Sequence, residues 1–93
     1  MTKAELVTAL LAVTPRPPAV DDHELMGAAA DLLAARDAVL AAAPRVGASA
    51  VNPAEVDELV ARQLAWDTAL AAARDRLGAQ RIGAGRMRRY AGR

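Results

Sequence analysis

Residues with reactive side chains are few and scattered along this chain. His23 is the sole histidine and sits among Asp21, Asp22 and Glu24. A metal centre needs further ligands at fixed spacing, and acid–base catalysis needs a partner that orients the imidazole. The sequence has no second histidine and no cysteine. The three acids are better explained as the start of a helix, where carboxylates cap backbone N–H groups and complement the helix dipole. Ser49 is the only serine, and no base lies near it in sequence. Gly78, Gly83 and Gly85 follow no strand pattern, so a phosphate-cradling loop lacks its context. This inventory points away from an enzyme, and no catalytic residue, cofactor or metal is expected.

Arginine is the remaining candidate. Arg36 falls inside the apolar stripe of a helix. Either its stem lies along the stripe with the guanidinium at the edge, reaching an acid such as Asp67, or it is a buried cation in a ligand pocket. The second option resembles the helical chorismate mutases, which share an acidic helix start, a Leu-Leu pair and an arginine in a long first helix. Those enzymes need several cations converging on a dicarboxylate, whereas Lys3 is the only lysine here. That reading ranks last.

Charge is unevenly placed. Residues 1–73 carry five basic side chains against ten acidic ones, and residues 74–93 carry seven arginines against Asp75 alone. Arg81, Arg86, Arg88 and Arg89 form the core of this electrostatic tail. They could neutralise phosphates, with Tyr90 stacking on a base. No nucleic-acid module surrounds them, so a solvated or self-docking tail is the favoured reading.

The elements that carry these residues read as helices throughout. Thr2 with Glu5 forms a capping box ahead of Leu6, Val7, Leu10 and Leu11, giving a short helix at about 3–13. Thr14-Pro15-Arg16-Pro17-Pro18 cannot stay helical, so residues 14–20 form a Pro-rich linker. Asp21 and Glu24 open a helix over about 22–43, with Leu25, Met26, Ala29, Leu32, Leu33, Arg36, Val39, Leu40 and Ala43 on one stripe. Pro44 ends it, and 44–52 is a loop. Asn52, Pro53 and Glu55 open a long helix over about 53–82, with Val56, Leu59, Val60, Leu64, Trp66, Leu70 and Leu77 as its stripe. Gly83 or Gly85 is the expected stop, which leaves 83–93 as a basic tail. The short loop favours a long antiparallel hairpin. The fold class is all-α, a single helical domain over residues 1–93.

Composition narrows the function classes. Hydrophobic residues make up 54% of the 93, but alanine dominates them, with no Phe, one Trp and one Tyr. The core must be thin. The longest apolar run is broken by Asp31, Arg36 and Asp37, so no membrane span is expected, nor a signal peptide. A cytoplasmic location follows as the expectation. The long helix, about 45 Å at 1.5 Å per residue, outruns its partner helix, so part of its stripe must meet something else. Trp66 either plugs the core or anchors a partner. Leu70, Leu77, Met87 and Tyr90 are the other candidate partner-binding residues.

Two stretches resemble bacterial flagellar export chaperones of the FlgN/FliT type. Leu32-Leu33-Ala34-Ala35-Arg36-Asp37-Ala38-Val39-Leu40 is similar to the family's LLxxRDxLL helix. Arg81-Ile82-Gly83-Ala84-Gly85-Arg86-Met87-Arg88-Arg89-Tyr90, followed by Gly92, is similar to its Arg-rich, Gly-containing close. The resemblance covers roughly residues 22–93. The proline break at 15–18 and the looser tail spacing depart from it. It implies cytoplasmic capture of a protein cargo, a hook-associated or filament-cap protein, whose amphipathic terminal helix enters an apolar groove before export. It places much of the cargo contact on the C-terminal helix, hence on Trp66, Leu70, Leu77, Met87 and Tyr90. A homodimerising helical module without cargo and a nucleic-acid accessory protein working through the tail are the alternatives.

Overall fold

A computed structural model describes the backbone of residues 1–91 and the side chains of residues 1–80. It contains three helices, α1 (Lys3–Val13), α2 (Asp22–Ala41) and α3 (Pro53–Ala91), and no strand among the described residues. The all-α expectation holds.

Each helix starts where a short polar side chain takes up free N–H groups. At α1 the capping box is complete: the Thr2 hydroxyl accepts from the Glu5 N–H, and the Glu5 carboxylate accepts from the Thr2 N–H. At α2 the Asp21 carboxylate accepts from the Glu24 N–H at 2.8 Å. At α3 the Asn52 side-chain oxygen accepts from the Ala54 N–H at 3.0 Å. Glu55, three residues after Asn52 and so at the position from which a capping-box carboxylate would reach back, accepts the Thr8 hydroxyl at 2.9 Å instead. A tertiary partner has replaced a local one.

The helix ends depart modestly from expectation. α2 stops at Ala41, two residues short of the expected 43. α3 continues to Ala91, past the expected end near 82 and past Gly83 and Gly85. A glycine stop needs a left-handed residue, and no described glycine has positive φ. An isolated glycine costs a helix only about 1 kcal/mol relative to alanine, which neighbouring Ala and Arg offset.

All three helices touch one another. The core consists of Leu25, Ala29 and Leu32 from α2 with Trp66 and Ala73 from α3, flanked by Met26, Ala28, Ala69 and Leu70. Its two halves keep regular spacing. Leu25, Ala29 and Leu32 are four and three apart, and Trp66 and Ala73 are seven apart, so each set forms one seam. Ala73 has no exposed surface; a methyl at that level lets the helices approach closely. α1 contributes no fully buried residue. It is held instead by polar contacts at its ends.

Those contacts start at the N-terminus. The Lys3 N–H donates to the Gly47 carbonyl at 3.0 Å, the Gly47 N–H donates to the Met1 carbonyl at 2.9 Å, and the Ala4 N–H donates to the Ser49 hydroxyl at 3.0 Å. The lone serine thus serves the start of α1. At the other end, Thr14 is fully buried and its hydroxyl donates to the Leu10 carbonyl at 2.6 Å. The Arg62 guanidinium donates to the Thr14 carbonyl at 3.0 Å, and the Trp66 indole donates to the Pro15 carbonyl at 2.7 Å. Arg62 brings a positive charge to the C-terminal end of α1, where the helix dipole is negative and α1 has no basic residue of its own.

Candidate functional site

The residues expected to bind a partner separate in the structure. Trp66 has 1% of its surface exposed and belongs to the core. Leu70 is half-buried and packs against the core. Leu77 is half-buried and follows Arg76, which pairs with Asp22 at the start of α2. Met87, Tyr90, Arg81, Arg86, Arg88 and Arg89 lie outside the residues whose side chains are described.

Four apolar residues of the expected stripes are not covered by the chain. Leu33 is 60% exposed, Leu40 51%, Val60 52% and Leu64 60%. The cause is angular. Adjacent residues on a helix sit 100° apart, so Leu33 is turned out of the seam that Leu32 joins, and Leu40, seven residues on, follows it. Val60 and Leu64, four apart on α3, are likewise rotated away from Trp66. This offset was present in the sequence: two apolar sub-stripes ran side by side, and only one could enter a two-helix seam.

Arg36 and Gln63 link the two helices that carry these pairs. Arg36, three residues after Leu33 and four before Leu40, lines a depression of 260 Å³ with Leu59, Val60, Gln63 and Leu64. The Arg36 guanidinium donates to the Gln63 side-chain oxygen. The Gln63 amide then donates to the Asp67 carboxylate at 3.0 Å. Arg36 therefore reaches toward Asp67 through a glutamine, with its stem along the apolar surface, as the first of its two sequence readings expects. The depression is shallow, and its polar groups are already engaged with each other.

Asp37, Asp57 and Asp67 are all exposed. Asp37 is four residues from Leu33, Asp57 is three from Val60, and Asp67 is three from Leu64, so helical spacing sets carboxylates beside the apolar residues. Exposed carboxylates thus lie within a helical turn of the exposed apolar residues, and Asp67 is bridged to Arg36 through Gln63.

Elsewhere, ion pairs hold the scaffold. Arg76 donates to both oxygens of Asp22, at 2.7 Å and 2.9 Å in its shortest contacts. This hydrogen bonding holds the Asp22 carboxyl below its usual value, against a smaller upward push from partial burial, and raises Arg76. Glu58 accepts from Arg62 at 2.9 Å and from Arg16 at 3.0 Å. The Arg62 bond is the main cause of its lowered pKa. Among the described residues no group of three potential ligands could hold a metal ion. His23 is exposed at the first turn of α2.

A hollow of 360 Å³ over Trp66, between Val13, Pro15, Pro18 and α2, has Arg16 and Asp31 as its charged lining. Asp31 is the one carboxylate among its lining residues, and no histidine, serine or cysteine is among them. No helix among the described residues is long and apolar enough to cross a membrane. No family model matches the chain, nor does any curated protein or solved structure.

Proposed function

We propose that this protein is a non-enzymatic helical binding module, in which α2 and α3 are the arms of an antiparallel hairpin linked to α1 by the Pro-rich segment 14–20. Two cross-contacts support that arrangement: Asp22 with Arg76, and Arg36 with Gln63. One observation carries the functional reading. Leu33, Leu40, Val60 and Leu64 are large, apolar and exposed, on a chain whose core is complete without them. An amphipathic helix laid along such a face buries its own apolar side, with i, i+3, i+4 and i+7 residues as anchors.

The cargo class comes from the resemblance to flagellar export chaperones. In this reading the protein works in the cytoplasm, holding the terminal helix of a hook-associated or filament-cap protein until export. Leu70, Leu77, Met87 and Tyr90 are the further cargo contacts that the resemblance implies on α3. Trp66 supports the face from within the core. Co-expression with candidate export substrates tests the proposal. Wild-type protein should retain one of them in a pull-down, and Leu33→Asp with Leu64→Asp should abolish retention while leaving the helices intact by circular dichroism. Failure to retain any hook-associated or cap protein sinks the flagellar assignment.

A further inference from the structure

The hollow over Trp66 is walled by elements that cannot close it. Helix α2 contributes Ala28, Asp31, Leu32 and Ala35, at i, i+3, i+4 and i+7 on one face. At 28 and 35, where a longer side chain would fill the space, it carries only methyl groups. The linker forms another wall with Pro15, Arg16 and Pro18. It is fixed in place rather than free to collapse inward: the Trp66 indole holds the Pro15 carbonyl at 2.7 Å, and Arg62 holds the Thr14 carbonyl at 3.0 Å. At 360 Å³ the hollow falls within the range of about 300–1,000 Å³ usual for small-molecule pockets. A cavity of roughly 150 Å³ takes a benzene ring, so there is room here for a ring and a short polar backbone.

Two opposite charges, one from each wall, border this apolar space without pairing to each other. Asp31 is exposed, and among the described residues it makes no ion pair. Arg16 gives one N–H to Glu58 at 3.0 Å, but Glu58 is shared with Arg62, so a single carboxylate stands against two guanidiniums. A guanidinium has several N–H donors, and Arg16 keeps the capacity for a second anion. An occupant that meets both charges needs a cationic group, an anionic group and an apolar body. An amine alone would leave Arg16 unmet, and a carboxylic acid alone would leave Asp31 unmet. We propose that the hollow binds a free α-amino acid with an apolar or aromatic side chain. Its ammonium pairs with Asp31, its carboxylate with Arg16, and its side chain lies against Pro15, Pro18 and Leu32. This goes beyond cargo capture and does not rest on it, since the hollow shares no lining residue with the depression at Arg36.

Calorimetric titration of the full chain with L-phenylalanine is the test, read alongside the emission of Trp66, the only tryptophan. L-Phenylalanine should bind with a Kd of about 1 mM or tighter and shift that emission. Phenethylamine lacks the carboxylate, 3-phenylpropionate lacks the ammonium and glycine lacks the apolar side chain; each should bind at least about tenfold more weakly. Asp31→Asn and Arg16→Gln, both at exposed positions, should each weaken L-phenylalanine binding by about tenfold, and Ala28→Leu should abolish it by filling the hollow. Silence in both readouts at millimolar L-phenylalanine overturns the proposal. So does an analogue that binds as tightly, or a variant among the three that binds as the wild type does. The analogue series needs no variant, so a variant that misfolds leaves the test standing. Cargo retention in a pull-down is read separately, so either proposal can fail alone.

Discussion

The indole N–H of Trp66 donates to the carbonyl oxygen of Pro15 across 2.7 Å, fastening the end of α1 to the middle of α3. The largest side chain in the protein thus fills the core and pairs a carbonyl in a proline-rich segment that is short of N–H groups. Trp66→Phe keeps most of the volume and removes the donor, and should cost about 1–3 kcal/mol. Trp66→Ala adds a cavity and should cost about 3–5 kcal/mol. Urea denaturation separates the two. Equal stability of Trp66→Phe and wild type would show that the bond contributes nothing.

Arg62 serves the same junction one turn earlier, donating to the Thr14 carbonyl and to Glu58. Arg62→Met keeps an apolar stem but leaves a carbonyl at the buried Thr14 without its donor, so a loss of about 1–3 kcal/mol is expected. Arg62→Lys should not restore it, because an ammonium cannot reproduce the fork that spans both acceptors. Amide exchange along α1 should quicken in both variants while exchange in the core of α2 changes little.

Neighbouring leucines should respond oppositely. Leu32→Ala opens the core and should cost about 2–5 kcal/mol. Leu33→Gln, one residue later and 60% exposed, should stay within about 0.5 kcal/mol of wild type. A comparable loss at both positions, measured by thermal or urea unfolding, would mean that Leu33 is covered in solution.

Stability should fall on the acid side. Asp22 and Glu58 have lowered pKa values in the folded chain, so their ionised forms favour folding. Their contribution is whole above the usual carboxylate range, at about pH 4–4.5, and is lost as pH drops through the lowered folded values. The melting temperature should therefore be nearly level from neutral pH to about pH 5 and decline below it. Asp22→Asn combined with Glu58→Gln should flatten the decline; an unchanged acid limb would assign it to other carboxylates.

Ala73 has no room to grow. Ala73→Leu should destabilise by about 1–3 kcal/mol through overpacking, whereas the same change at exposed Ala71 should be nearly neutral.

Much of the fold was legible in the chain because it depends on local rules. Capping residues at Thr2, Asp21 and Asn52, and prolines at 15–18 and 44, bound the helices through backbone geometry that each segment enforces on its own. Apolar periodicity marked which helices needed partners. Helix propensity and capping act within a few residues, so the sequence by itself determined three helices and the order in which they come. It did not determine which of two adjacent sub-stripes would be buried, because that depends on how α2 is rotated against α3. Only the tertiary structure turned Trp66 inward and left Leu33, Leu40, Val60 and Leu64 outside. It also gave Glu55, Ser49 and Arg62 to α1, across separations of more than forty residues that no local pattern encodes. The physical reason is that a two-helix seam admits one ridge from each helix, and which ridge enters is settled by the packing of all three helices together.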